Sequence, residues 1–381
     1  MRIGSQLTSP AQLAGIVFQS RLGLAPLNTG LFRADGNANA KCLAFYKQYC
    51  VPEIGALYIG GVAINRDARA NDRSLVIESE SQIGGIERIV TVAHLHGVKV
   101  VVQLEHAGRQ ADPKQLGVEI VGPTAIPCPV VGVRPRELLP TEIRRIVKAF
   151  GKSARLVAHS GADVVEIHAA HGYLISAFLS PYSNHRTDDY GGTVRKRFRI
   201  LLDIISDVKA AVSIPVGIRI NCHENVPHGL QLNDILEGLS GLQNVLSYIS
   251  VSAGVYSRQE DWIIPPRALP RALWRDHALK IKRCLNTAVF IAGNIDTIPL
   301  AEQLVMDGAA DVVLMGRSLL ADPSLAKKFL RREACAIQEC TDCGMCKWHS
   351  HAMDHIYCPF NPVLKTSMIP LSRSQSVTSE L

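Results

Sequence analysis

Eight short apolar runs punctuate the chain, and the segments between them carry hydrophobic residues at helical spacing. The runs are RLGLAP (21–26), ALYIGG (56–61), VKVVVQL (98–104), ADVVEIHA (162–169), IPVGIRI (214–220), LSYISVSA (246–253), AVFIAGN (288–294) and ADVVLMG (310–316). Few of them alternate strictly between apolar and polar. That pattern suits parallel strands, covered by helices on one side and packed inside on the other, because neither face then meets water. Helix-period segments occupy 81–97, 141–161, 194–212 and 271–286. Asp322-Pro323, after the last run, predicts a helix N-cap with proline at the first helical position.

Strands alternating with helices eight times over predict an α/β fold of the (β/α)8 TIM-barrel type. A doubly wound sheet is the alternative. It usually carries a G-x-G-x-x-G turn after its first strand, and RLGLAPLNTG has none. The barrel is expected over residues 1–333, a cysteine-bearing segment over 334–365, and a Ser-rich, aromatic-free, disordered tail over 366–381. The Pro- and Gly-rich stretch 105–140 predicts an active-site insertion on a barrel loop.

Composition narrows the class. The chain has 381 residues, 47% hydrophobic and 20% charged, as in an ordinary globular enzyme. Its net charge of +7 is mild, and no Lys/Arg run is interleaved with aromatics. Nucleic acid is therefore not expected as a partner, whereas an acidic or phosphorylated ligand suits the balance. No apolar stretch reaches membrane-spanning length, and MRIGSQLTSP lacks the apolar core of a secretory signal. Of ten cysteines, Cys42, Cys50, Cys128, Cys222, Cys284 and Cys335 are scattered and four lie together near the C-terminus. A cytoplasmic chain with reduced thiols is expected.

Active-site residues of such barrels come from the C-terminal ends of the strands. Those ends carry Asn28 and Thr29, Gln103, His168, His171 and Tyr173, Arg219, Gly293 and Asn294, and Gly316 and Arg317. Two imidazoles three positions apart can both donate to one oxygen, and the phenol two residues on can deliver a proton. His-x-x-His is also a possible metal-ligand pair, with Glu166 the nearest third ligand. A structural histidine beside an exposed one is the plain alternative. The glycines ending strands seven and eight would let backbone N–H groups approach a phosphate, with Asn294 and Arg317 beside them. Arg219 would sit beside an anionic cofactor ring, or form an internal salt bridge.

Near the C-terminus, CTDCGMC supplies Cys340, Cys343 and Cys346, and Cys358 follows, itself followed by Pro359. Three thiolates at such spacing can wrap one face of an iron–sulfur cubane, and a distant fourth can close it. Zinc, with His349, His351 and His355 nearby, and free thiols are the alternatives.

Taken together, these residues resemble the Old Yellow Enzyme family of FMN-containing oxidoreductases. HAAHGYLISAFLSPYSNHRTDDYGG (168–192) is close to its signature, and APLNTG, VVQLEHAGRQ, GIRI, AGNI and LMGRSLLADP follow in family order. The resemblance covers roughly residues 15–362, and the cysteines point to the subgroup of 2,4-dienoyl-CoA reductase and trimethylamine dehydrogenase. It implies non-covalent FMN, because Asn28 stands where amine dehydrogenases attach the flavin through cysteine. It implies flavin contacts at Ala25, Pro26, Leu27, Asn28 and Gly61, with Gln103 and Arg219 on the pyrimidine edge. Gly293, Asn294, Gly316 and Arg317 would hold the phosphate. His168 and His171 would polarise a substrate carbonyl and Tyr173 would protonate its α-carbon. Cys340, Cys343, Cys346 and Cys358 would ligate a 4Fe–4S cluster.

What the resemblance implies is reduction of an α,β-unsaturated carbonyl compound, with electrons from the cluster or directly from NAD(P)H. The alternatives are a dehydrogenase that oxidises an amine or saturated ketone and passes electrons to a protein, and a non-catalytic electron-transfer subunit. With no G-x-G-x-x-G anywhere, the internal route from NAD(P)H to the cluster is expected to be missing. Ferredoxin, flavodoxin or a separate reductase would then dock near the cluster, and Lys327, Lys328, Arg331 and Arg332 would suit an acidic partner. Self-association is common in barrels of this family. Loops 105–140, 221–231 and 253–270 are expected to shape the substrate pocket, with Tyr256, Arg258 and Trp262 lining it.

Overall fold

The computed structural model describes residues 6–13, 15–33, 37–242, 244–256, 262–347 and 355–365. In chain order its strands are β1 (Ala11–Leu13), β2 (Ile16–Phe18), β3 (Leu22–Leu24), β4 (Ala56–Ala63), β5 (Lys99–Glu105), β6 (Val121–Gly122), β7 (Arg136–Glu137), β8 (Val164–Ala169), β9 (Val216–Asn221), β10 (Ile249–Ser252), β11 (Val289–Ile291) and β12 (Val312–Met315). Its helices are α1 (Ala40–Lys47), α2 (Ile83–His94), α3 (Pro113–Leu116), α4 (Pro140–His159), α5 (Leu174–Leu179), α6 (Val194–Ala211), α7 (Leu232–Gly238), α8 (Arg275–Leu285), α9 (Ile298–Met306), α10 (Arg317–Ala321), α11 (Leu325–Leu330) and α12 (Pro362–Lys365).

Strands β3, β4, β5, β8, β9, β10, β11 and β12 close into a parallel barrel in chain order, and β12 pairs back onto β3. Each of the eight apolar runs supplies one barrel strand, and α2, α4, α6 and α8 lie in the four helix-period segments. The closed barrel excludes the doubly wound alternative. Continuous apolar runs were needed because every strand is buried on two faces. Outward residues such as Ile59, Val102, Ile167 and Ile218 join the core beneath the helices. Inward residues Tyr58, Val101, Val164, Tyr248, Phe290 and Leu314 fill the barrel, and Phe18 of the β1–β2 hairpin closes it below against Phe290.

One proline–aspartate expectation shifts. Asp322 follows α10, and the next helix starts at Leu325 with Ser324 at its N-cap. The Asp322 carboxylate instead accepts from the Ser324 N–H, from Lys328 Nζ and from the Gln338 N–H (3.0, 2.7 and 2.9 Å). Those bonds tie the segment beyond the barrel to α11. Residues 366–381, expected to be disordered, lie outside the described residues.

Inside the barrel, just below its mouth, lies Glu166, which is fully buried. It accepts from Gln103 Nε2 at 2.7 Å, Tyr248 Oη at 2.9 Å and Tyr58 Oη at 3.1 Å. Burial pushes its pKa up, opposed by the charge of Arg219 and by these three donors. Removing this carboxylate leaves three buried donors unpaired and the nearby Arg219 charge unopposed, at a cost of about 3–5 kcal/mol. Glu166→Leu is therefore expected to lower unfolding free energy by about that much in urea titration. An unchanged midpoint and slope would mean that Arg219 is balanced elsewhere.

Candidate active site

His168 is the penultimate residue of β8, and the chain then turns sharply through a left-handed His171 (φ +65°) and Gly172 (φ +80°). That backbone is strained for histidine. Its neighbours hold it from both sides: the His171 N–H donates to Asn221 Oδ1 (3.1 Å), and its carbonyl accepts from Gln110 Nε2 (2.7 Å). The turn gathers the three rings. His168 and His171 centroids lie 5.0 Å apart, edge to face, and Tyr173 lies 4.9 Å from His168. All three line one cavity of about 750 Å3.

Protonation follows from the neighbours. His168 Nδ1 accepts the Ala170 N–H (3.2 Å), which leaves the ring proton on Nε2. His171 Nε2 lies 2.7 Å from Ser252 Oγ, which accepts from Arg219 Nη2 (3.1 Å). The serine hydroxyl has its own proton to give; donated to Nε2, it leaves the imidazole proton on Nδ1. Burial holds both imidazoles well below the usual histidine range; Arg219 adds to this for each, and His168 does so for His171. Burial, then Tyr256, pushes the Tyr173 phenol well up; its hydroxyl lies 3.1 Å from that of Tyr256. The site thus presents two neutral imidazoles and a protonated phenol.

Glu166 is engaged inside the barrel, and among the described residues no group of three or more His, Cys, Asp or Glu is placed to hold a metal ion. The reading of His168, His171 and Glu166 as a metal site is overturned.

Around the rest of the cavity stand Ala25, Pro26, Leu27 and Asn28 after β3, Gly61 on β4, and Gln103 and Arg219 on β5 and β9. Gly293, Asn294, Gly316 and Arg317 complete the same wall. The β4 register shifts between Ile59 and Val62, and this bulge turns bare Gly61 backbone to the cavity. Arg219 Nε is buried and unpartnered, as are Glu105 Oε1 and Gln110 Oε1, and all three residues line the cavity. Buried polar atoms are seldom orphaned, so these mark where a polar ligand completes the bonding.

Two expected phosphate side chains are engaged elsewhere. Asn294 Nδ2 donates to the Leu269 carbonyl (2.8 Å), and Arg317 pairs with Asp342 and donates to the Pro265 carbonyl (2.6 Å). Gly293 lines the cavity too, but the space its side chain would fill is taken by the Trp274 indole, 2.4 Å from a Cβ built there. From Asn294 and Arg317 themselves, the donor left to turn toward an anion is backbone N–H.

The cysteine segment borders the same cavity through Cys340 and Cys346. It is fastened by the Ile356 N–H to the Thr29 carbonyl (2.7 Å) and by Arg267, which donates to the Cys340 carbonyl (2.6 Å). The Cys346 thiol is pushed up to about 11 by burial and then by Cys340, while Cys358 and Cys343 also raise it. The Cys346 thiol thus feels the other three, although among the described residues no three are placed as ligands. His355 contacts Lys41 Nζ (3.3 Å); His349 and His351 lie outside the described residues.

The NADH:flavin oxidoreductase / NADH oxidase family matches residues 6–333. The chain belongs to this family. It is, as the sequence motifs led one to expect, an Old Yellow Enzyme-type barrel and an FMN-dependent oxidoreductase. It is 33% identical over 326 residues to an NADPH dehydrogenase of Listeria innocua, covering 85% of this chain and 94% of that one. It is 31% identical over 345 residues to an NADH oxidase of Thermoanaerobacter brockii, covering 89% of this chain but only 53% of that protein. The chain thus spans about half of that longer relative. Among solved structures, 2-naphthoyl-CoA reductase in complex with 2-naphthoyl-CoA superposes with a TM-score of 0.90 at 22% identity, over 96% of this chain and 58% of that one. A share of 96% is more than residues 6–333 can supply, so the likeness of fold extends into the cysteine segment.

Within this Old Yellow Enzyme-type mouth, several expectations shift. Tyr256 lines the cavity, Trp262 packs against Trp274 instead, and Arg258 lies outside the described residues. Loop 105–140 contributes Gln110, Lys114 and Val131, whereas 221–231 contributes nothing to the lining. No described helix is long and apolar enough to cross a membrane. Sequence reasoning missed Arg267, for which there was no signal. It also missed Glu105, an acidic residue ending an apolar strand, which could have been noticed.

Desolvation alone raises the Glu105 carboxyl to about 8. The native state therefore holds this proton more tightly than the unfolded chain, and stability falls as pH rises from about 4.5 to about 8. Glu105→Gln is expected to match the parent at pH 4 and to exceed it at pH 9 by on the order of 5 kcal/mol in thermal melts. Identical melts at both values would refute the burial penalty.

Proposed function

We propose that this chain reduces the carbon–carbon double bond of an α,β-unsaturated carbonyl compound. The observation that carries the reading is the convergence of two neutral imidazoles and a protonated phenol on one cavity. Two N–H donors suit one carbonyl oxygen, and they stabilise negative charge developing there. FMN, when bound, supplies the hydride for the β-carbon. Tyr173 retains its proton until a strongly basic carbon approaches, and delivers it to the α-carbon.

In this reading Ala25, Pro26, Leu27, Asn28 and Gly61 border the flavin ring. Gln103, oriented by Glu166, and Arg219, through its unpartnered Nε, take the pyrimidine edge. Gly293, Asn294, Gly316 and Arg317 hold the phosphate by backbone N–H, since the Asn294 and Arg317 side chains hold loops. NAD(P)H is the simplest electron donor, in keeping with relatives named NADPH dehydrogenase.

The same proposal assigns a 4Fe–4S cluster to Cys340, Cys343, Cys346 and Cys358, supported by the electrostatic coupling of the other three thiols to Cys346 and by Cys340 and Cys346 bordering the cavity. Their placement does not yet form a ligand set, so the segment would have to close around the cluster. The contact of Cys340 and Cys346 with the flavin-sized cavity favours one second reading: oxidation of an amine or saturated ketone, with electrons leaving to an acidic protein near exposed Lys327, Arg331 and Arg332.

Pre-reduced protein mixed anaerobically with simple cyclic enones is expected to reoxidise in stopped flow, and Tyr173→Phe to slow this about 10²–10⁴-fold. Equal rates for parent and variant would remove Tyr173 as the donor. Bleaching of the resting flavin by an amine, with no response to enones, would favour the second reading. Protein purified without oxygen is expected to hold one FMN and about four irons with matching sulfide. Zinc, or no metal, would dismiss the cluster and leave the enone reading intact.

A further inference from the structure

Glu105 is a buried titratable group that the reaction above does not use. It ends β5 two residues after Gln103, so strand alternation turns both side chains toward the barrel mouth. It is 2% exposed, it lines the cavity, and its Oε1 has no hydrogen-bond partner. A Cβ built on Gly61 would stand 3.5 Å from that oxygen and 3.7 Å from Asn28. That oxygen is packed close to the bare backbone of the β4 bulge and to Asn28, while the side chain as a whole borders the cavity. From the turn after β8 it faces Tyr173, which feels its charge, with Tyr256 and the neutral His168 beyond. Gly61 and Asn28 do not titrate, and the neighbouring His106 is depressed by burial to about 4. No cation of the chain enters among the causes of the Glu105 shift.

A buried carboxyl with an empty acceptor and no counter-ion is costly unless a ligand supplies what is missing. A protonated amine supplies both a donor and a positive charge, and a charge-assisted bond is the stronger kind. We propose that Glu105 selects substrates carrying a cationic nitrogen in addition to the carbonyl group that His168 and His171 hold. The carbonyl end rests on the proposed function; the cationic end stands on Glu105 alone. Binding of such a ligand ionises the carboxyl, and the proton leaves to solvent.

The test uses the FMN-bound oxidised protein and two isosteric enones, 4-aminomethyl- and 4-ethylcyclohex-2-enone, titrated calorimetrically in buffers of different ionisation heat. The ammonium compound is expected to bind more tightly than the ethyl compound, and to tighten about tenfold from pH 7 to pH 9 as a group with a pKa near 8 ionises. It is expected to release nearly one proton at pH 7, and the ethyl compound none. In Glu105→Gln the preference, the pH dependence and the proton release all vanish together. Equal affinities in the parent, or a preference that survives in the variant, would overturn the assignment. Should the variant not fold, the proton count of the parent still decides. Reoxidation of pre-reduced protein by the ethyl enone tests the enone reading separately, so either idea can fail without the other.

Discussion

One carboxylate sealed inside the barrel organises the mouth. Glu166 has no access to solvent, and the partners it gathers come from strands on every side: Tyr58 on β4, Gln103 on β5 and Tyr248 on β10, with Arg219 on β9 opposing its charge. A buried charge must be satisfied by whatever surrounds it, so each of these side chains is held in one orientation. Gln103 and Arg219 are also wall residues of the cavity. The interior network and the site are therefore one construction: the lower half of each side chain is fixed so that the upper half can be presented.

The same logic runs through the second layer. Arg219 passes its orientation to Ser252, and Ser252 to His171. Asn221 and Gln110 grip the backbone of His171 on both sides and pin a left-handed conformation that histidine would not adopt on its own. The turn is strained because the two imidazoles have to meet, and an extended chain would carry residues three apart away from each other. Burial then removes their charge, and the positive Arg219 nearby acts in the same sense. Neutral donors at a fixed separation are the outcome of packing, not of the histidines themselves.

The cysteine segment is joined to this site through backbone as well as sulfur. Arg267 reaches the Cys340 carbonyl and Asp296, and its N–H reaches Asp342, which in turn pairs with Arg317. That chain of contacts runs from the wall of the cavity to the thiols. It explains why Asn294 and Arg317 do not point their side chains at a ligand: they hold the loop that holds the cysteines.

The barrel was legible in the sequence because a strand buried on two faces must be apolar throughout, and the eight runs obey that rule. The strand-end residues were legible for the same reason, since a polar group at the close of such a run can only emerge at the mouth. His168, His171, Tyr173, Gln103 and Arg219 all stand there. What the sequence could not settle was which neighbour each would meet. Glu166 looked like a third metal ligand; alternation along β8 does turn it inward with His168, but Gln103, Tyr248 and Tyr58 occupy its carboxylate inside the barrel. Gly293 was legible as a turn at a strand end, but that Trp274, nineteen residues earlier in the chain, packs where a side chain would stand was not. Asp322 looked like a helix cap and became an anchor for Gln338. Glu105 stood out only as an acid ending an apolar strand, and the closed barrel is what left it buried with its Oε1 unpartnered. Local pattern depends on neighbours along the chain and survives in the sequence; pairing, burial and charge state depend on residues brought together from distant strands, and only the tertiary structure decides them.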